Sequence, residues 1–306
     1  MIRPITTTAY DPAGGARIDG AVAADLALSL PRMVHRAHEI AASVAYGAHG
    51  RRRAGQGETF WQYRPFTNGE AAHRIDWRRS ARSDQLYVRE REWEAAHDYF
   101  LWMDCSPSMA FASSLAQDDK LSRGVTLGLA LADVLVRGGE RVAALGLTAP
   151  ISARDIIDRL SRALYDDARE TACGELPLDA PLRPRARVVL ISDFLCDLDA
   201  LASRLRRFAD AGVAGALLMI TDPSEESFPF SGETLFLDTD GGPAFHAGDA
   251  RTLRAAYAKR FEAHREAVRE AARAFGFLFL QHHTDRPAAE AALALVMGLH
   301  GIEEEL

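Results

Sequence analysis

With 306 residues, 48% of them hydrophobic, the chain implies one large domain or two smaller ones, with ample material for a core. A net charge of −7 argues against a dedicated nucleic-acid binder, because such proteins concentrate positive charge to displace counterions. Cys105, Cys173 and Cys196 lack CxxC spacing, which argues against a zinc ribbon or disulfide framework and fits a reducing cytoplasm, and no stretch approaches the roughly 18 apolar residues of a membrane span.

Residues 1–20 carry Pro4, Pro12, Gly14 and Gly15 and no apolar run after a basic start, so they read as a flexible N-terminus and not as a signal peptide. In residues 21–48, Leu26, Leu30, Met33, Val34, Ala37, Ile40, Ala41 and Val44 recur at threes and fours. That spacing predicts an amphipathic helix in spite of Pro31, ending at Gly47 or Gly50. The segment Arg51–Glu92 is rich in Arg, Gly and aromatics, and its ten arginines against six acidic residues leave four positive charges in excess. Residues 21–93 are therefore expected to form an accessory segment, and 94–306 the main domain.

From Tyr99 short apolar strands alternate with amphipathic helices. The pattern predicts Tyr99–Met103, Leu121–Val136, Val142–Leu147 and Ile156–Leu164, then Val188–Ser192, Leu198–Ala211 and Ala214–Ile220. Leu235–Leu237 adds a hairpin or edge strand, and Thr252–Phe275, Phe277–Gln281 and Ala288–Leu299 complete the order. Strands that are apolar on both faces and separated by helices predict an α/β fold, a doubly wound and mainly parallel sheet.

The chemistry concentrates at Asp104-Cys105-Ser106-Pro107-Ser108-Met109, where the first of these strands opens into a loop. A carboxylate followed by two hydroxyls at alternating positions can ligate a hard divalent cation; the same residues commonly satisfy loop backbone groups through local turns. Asp193 ends a second strand, and neighbouring strands would turn both carboxylates into one crevice, the usual ligand position in an open parallel sheet. A magnesium ion between them would favour their charged forms, with Ser106 and Ser108 as ligands and an exposed position left for a partner's carboxylate.

Asp104-x-Ser106-x-Ser108 with Asp193 resembles the metal-ion-dependent adhesion site of von Willebrand factor A domains. Arg52-Arg53-x-Gly55-x-Gly57, Arg64-Pro65-Phe66, Arg74-Ile75-Asp76-Trp77-Arg78-x-Ser80-Ala81-Arg82 and Leu86-Tyr87-Val88-Arg89-Glu90 resemble the signature of the domain-of-unknown-function 58 family. The resemblance implies a von Willebrand factor A-type domain preceded by a helical and Arg-rich segment. It also implies a non-enzymatic adaptor acting with a MoxR-type AAA+ ATPase in maturation of client proteins, and a metal-ligating Thr from a separate loop, for which Thr171, in the connection before the Asp193 strand, is the best candidate. Phe194 stands where such domains usually have glycine after the Asp.

The interleaved charges of the Arg-rich segment favour a structural or protein-interface role over nucleic-acid binding, with Arg64, Arg74, Asp76, Arg78 and Arg82 as the partner-binding set. Asp76 and Glu90 are expected to pair with its arginines. Cys105 and Cys196 read as small apolar packers. His282 and His283 are expected on the loop after the last strand, pointing to opposite sides. A metal-dependent hydrolase at the same crevice is the alternative, although no general base or Gly-x-Ser-x-Gly elbow accompanies it.

Overall fold

A computed structural model of the chain describes residues 3–4, 18–49, 60–67, 75–82, 85–91, 96–170, 174–237 and 243–304. The chain divides into two compact units, 1–48 together with 97–306, and 49–96. Most of the expected flexible stretch 1–20 lies outside the described residues; within it, β1 (Arg3–Pro4) is a short strand.

The larger unit runs through α1 (Ile18–His49), then, beyond the smaller unit's β2 (Phe60–Pro65), α2 (Trp77–Ser80) and β3 (Tyr87–Arg91), through β4 (Asp98–Met103), α3 (Lys120–Arg137) and β5 (Arg141–Ala144). It continues with α4 (Ile156–Glu170), β6 (Arg187–Ser192), α5 (Leu198–Asp210), β7 (Ala214–Thr221) and α6 (Pro223–Ser227). The last elements are β8 (Thr234–Leu237), β9 (Phe245–Ala247), α7 (Arg254–Ala274), β10 (Phe277–His283) and α8 (Ala288–Glu304). Side chains of Asp119 and Asp197 accept the Ser122 and Ala200 N–H groups and so start α3 and α5.

Five strands form one parallel sheet in the order β10-β7-β6-β4-β5. Their side chains alternate between two cores, as the period of two demands. Leu101, Met103, Val189, Ile191, Leu218 and Ile220 point to one side, against α1, α3, α4 and α8. Trp102, Val188, Leu190, Leu217 and Met219 point to the other, where α5 and α7 supply Leu201, Leu205, Phe208, Phe261 and Val268. Each fully buried aliphatic side chain contributes about 1.5–3 kcal/mol, so both faces of the sheet must be covered, and they are. At Gly128 a Cβ would lie 2.3 Å from Met103 Sδ, so the absence of a side chain there lets α3 lie directly on β4.

The grouping of α1 with the Arg-rich segment differs from the packing. Met33, Ala37, Ala41 and Val44 of α1 are buried in the same core as α3 and α4, because the apolar stripe of the helix finds its cover there. Next to the main sheet, β8 pairs antiparallel with β9 and with β1, and Phe228, Phe236, Ala247 and Ala250 make a small third core.

In the smaller unit β2 and β3 pair antiparallel, with Ile75 bridged to Val88. Asp76 caps α2 by accepting the Arg79 N–H at 3.0 Å. The buried Ser80 hydroxyl donates to Asp76 O at 2.8 Å and accepts the Tyr87 N–H at 2.9 Å. These bonds join α2 to β3 and give Asp76 and Ser80 of the Asp-Trp-Arg-x-Ser run a structural reason.

Candidate functional site

In the sheet, β4 and β6 are neighbours while their following connections depart to opposite sides, α3 to one face and α5 to the other. Crevices at such a divergence, beyond the strand carboxyl ends, are where open parallel sheets hold ligands. Asp104 follows β4 and Asp193 follows β6, so both predicted carboxylates reach this place. The Asp104 N–H donates to Ile191 O at 2.9 Å and extends the strand pairing to the site itself.

Asp104 Oδ1 accepts the Ser106 N–H at 2.8 Å, and Oδ2 accepts the Ser192 hydroxyl at 2.6 Å. Ser106 and Ser108 Oγ atoms are 3.0 Å apart, and Ser108 donates to Asp193 Oδ2 at 2.9 Å. Asp193 Oδ1 accepts the Leu195 N–H at 3.0 Å. The structure thus brings Asp104, Ser106, Ser108 and Asp193 into one network. Thr171 lies outside the described residues.

Residues from beyond the two strand ends complete it. Lys120, the first residue of α3, donates from Nζ to Asp193 Oδ2 and to Glu225 Oε1, each at 2.7 Å. Glu225 Oε2 accepts the Asp222 N–H at 2.9 Å within the capping box that opens α6. Asp222 Oδ2 accepts the Ser113 N–H at 2.8 Å, fastening the connection after β4 to the end of β7. Sequence reasoning missed Lys120, Glu225 and Ser192. Lysine occurs only at positions 120 and 259 in a chain of 36 basic residues. A lysine in the first helical turn also faces the positive end of the helix dipole, so its placement there called for a partner elsewhere.

The network is closed to solvent. Asp104, Ser108 and Asp193 are each 2% exposed and Ser106 and Lys120 are 0% exposed. This differs from the expectation of an exposed coordination position: the site residues are buried, and the Ser113 N–H bond to Asp222 Oδ2 ties the connection after β4 to the end of β7. Burial first, and the neighbouring Asp193 charge second, push the Asp104 carboxyl up to about 6 against hydrogen bonds from Ser192 and Ser106.

A magnesium ion takes six oxygen ligands at about 2.0–2.1 Å. Here both Asp104 oxygens accept protein donors, and Asp193 Oδ2 already receives the Ser108 proton and an ammonium. As arranged, these residues do not fit magnesium. Among the described residues no group of three or more His, Cys, Asp or Glu side chains could hold a metal ion.

Phe194 has φ of 50°, in the left-handed region that favours glycine, and its ring is buried in the core against α5 and α7. The backbone therefore turns as a glycine would, and the ring gains apolar cover. Cys105 is buried with Sγ 3.6 Å from Met103 O. Burial, followed by the charges of Glu175, Asp104 and Asp193, pushes the Cys196 thiol up to about 12, which keeps it protonated.

His282 and His283 end β10 and do not lie on the following loop, and their side chains diverge as expected. His282 Nε2 is 3.0 Å from Arg123 Nη1, so that nitrogen is an unprotonated acceptor; His283 faces Glu226 at 3.7 Å. Of the predicted partner-binding set, Arg78 and Arg82 are exposed on and after α2, Asp76 is the helix cap, Arg64 lies on β2 with its side chain outside the described residues, and Arg74 lies outside them altogether. The Glu90 side chain is likewise outside them.

The family model "Protein of unknown function DUF58" matches residues 62–267. The uncharacterized proteins Mb1516 of Mycobacterium bovis and Rv1480 of Mycobacterium tuberculosis are 26% identical over 258 residues, covering 79% of this chain and 80% of each relative. The crystal structure of the conserved hypothetical protein BatB from Bacteroides thetaiotaomicron is similar over 67% of this chain and all of its own, at 14% identity and a TM-score of 0.35. Among the described residues no helix is long and apolar enough to cross a membrane.

Proposed function

The chain belongs to the DUF58 family of proteins of unknown function, and we propose that it is a non-enzymatic interaction adaptor whose recognition surface is the strand-end side of a von Willebrand factor A-type domain. The observation that carries this reading is the Ser108–Asp193 bond, which joins connections 85 residues apart in sequence at the divergence of β4 and β6. The buried network fixes the loops, and the loops present the surface. Leu115, 50% exposed, stands on that surface. The partner is a MoxR-type AAA+ ATPase in the cytoplasm, and the pair matures client proteins. Arg64, Arg74, Asp76, Arg78 and Arg82 form a second contact region.

The test is capture of a purified MoxR-type AAA+ ATPase by the immobilised chain. Leu115→Arg, which alters the surface, and Asp104→Ala, which loosens the loops, are each expected to lower its retention at least tenfold, an effect of about 1.4 kcal/mol. Full retention by both variants overturns the reading. Turnover of a phosphoester or peptide by the purified protein would replace it with metal-dependent hydrolysis at the same strand ends.

A further inference from the structure

We infer that the Lys120 ammonium is the built-in cation of the strand-end site, holding the ends of β6 and β7 together without a divalent metal. The inference rests on the same placement of the site as the adaptor reading and concerns what supplies its positive charge. Nζ lies 2.7 Å from Asp193 Oδ2 and 2.7 Å from Glu225 Oε1, and the whole residue is 0% exposed. A buried ammonium persists only where carboxylates compensate it, and here two do.

The geometry also assigns the protons. The Ser108 hydroxyl has one proton, and Asp193 Oδ2 is an acceptor only, so that proton lies on the Ser108–Asp193 bond. Ser106 must then donate across the 3.0 Å Ser106–Ser108 contact. Asp193 Oδ2, the oxygen a metal held by Ser108 would share, thus receives a hydroxyl proton and an ammonium at once. A helix carries Lys120 into place: Asp119 caps α3, and the Lys120 N–H donates to Phe111 O at 3.2 Å. The cation is therefore delivered by folding and does not depend on metal supply.

The consequence for recognition is specific. With the ammonium internal, the site offers no coordination position to a partner's carboxylate, and partner binding is expected to be unaffected by chelators.

The experiment measures the melting temperature of the full chain in EDTA and in excess magnesium or manganese, with direct manganese titration. The expected results are one wild-type melting temperature in all three conditions, no manganese bound, and a fall of roughly 10 °C for Lys120→Met that Lys120→Arg partly restores. Manganese binding to the wild type that Asp104→Ala abolishes overturns the inference, as does a Lys120→Met protein as stable as the wild type. If Lys120→Met does not accumulate as folded protein, the wild-type titration still decides. Metal binding with intact ATPase capture would remove the lysine inference alone. Lost capture without metal binding would remove the adaptor reading alone.

Discussion

In the smaller unit Arg78, Arg79 and Arg82 stand exposed on and beside α2, whereas in the α/β unit Lys120 is fully buried between Asp193 and Glu225. Arg79 lies with its guanidinium 5.5 Å from the Tyr87 ring centroid, a contact worth about 0.5–1 kcal/mol at an exposed position. Water screens such charges, and their removal leaves little behind. A buried ammonium is different, because removing either partner strands an uncompensated charge in a low-dielectric interior. The buried Lys120 therefore has more leverage over this fold than the exposed arginines of the smaller unit.

The largest break in that comparison should come from Asp193→Ala. It removes one of the two carboxylates that compensate Lys120 and breaks the Ser108–Asp193 bond, and should cost about 3–5 kcal/mol in urea unfolding. A cost below that of an ordinary surface substitution would mean the network is not structural.

An intermediate effect is expected from pH. Burial, then the Arg123 and His283 charges, depress His282 to about 3, well below the usual histidine value of 6.5. The unfolded chain thus takes up the proton first. Stability from this group is present above pH 6.5 and is lost as pH falls towards 3, by up to about 1.4 kcal/mol per pH unit. Unfolding curves at pH 7 and pH 5 should converge more closely for His282→Gln than for the wild type.

The smallest effect should follow Arg78→Ala, within about 0.5 kcal/mol of wild type by the same assay. A larger loss would show that the exposed arginines are held as firmly as Lys120, and the contrast would disappear.

Much of the fold was legible in the chain. The alternation of apolar runs and helical stripes placed the strands and helices of the main sheet, because a buried parallel strand must be apolar on both faces. The antiparallel pair of β2 and β3 was not legible, since Phe60–Pro65 and Tyr87–Arg91 mix aromatics with charges and show no clean period. The Asp76 side chain caps α2, a role that depends on where α2 starts and that the local pattern of charges did not announce.

At the site, sequence alone determined the candidate oxygens, Asp104, Ser106, Ser108 and Asp193, because strand-end carboxylates and hydroxyls are recognisable from their local pattern. Only the tertiary structure decided what faces them. The spacing that leaves room for a cation in sequence is filled in space by Lys120, from a helix, and by Glu225, from beyond β7. Local sequence carries the chemistry of each group. Burial and long-range pairing decide whether that chemistry is available, and those depend on strand order, which no stretch of sequence contains by itself.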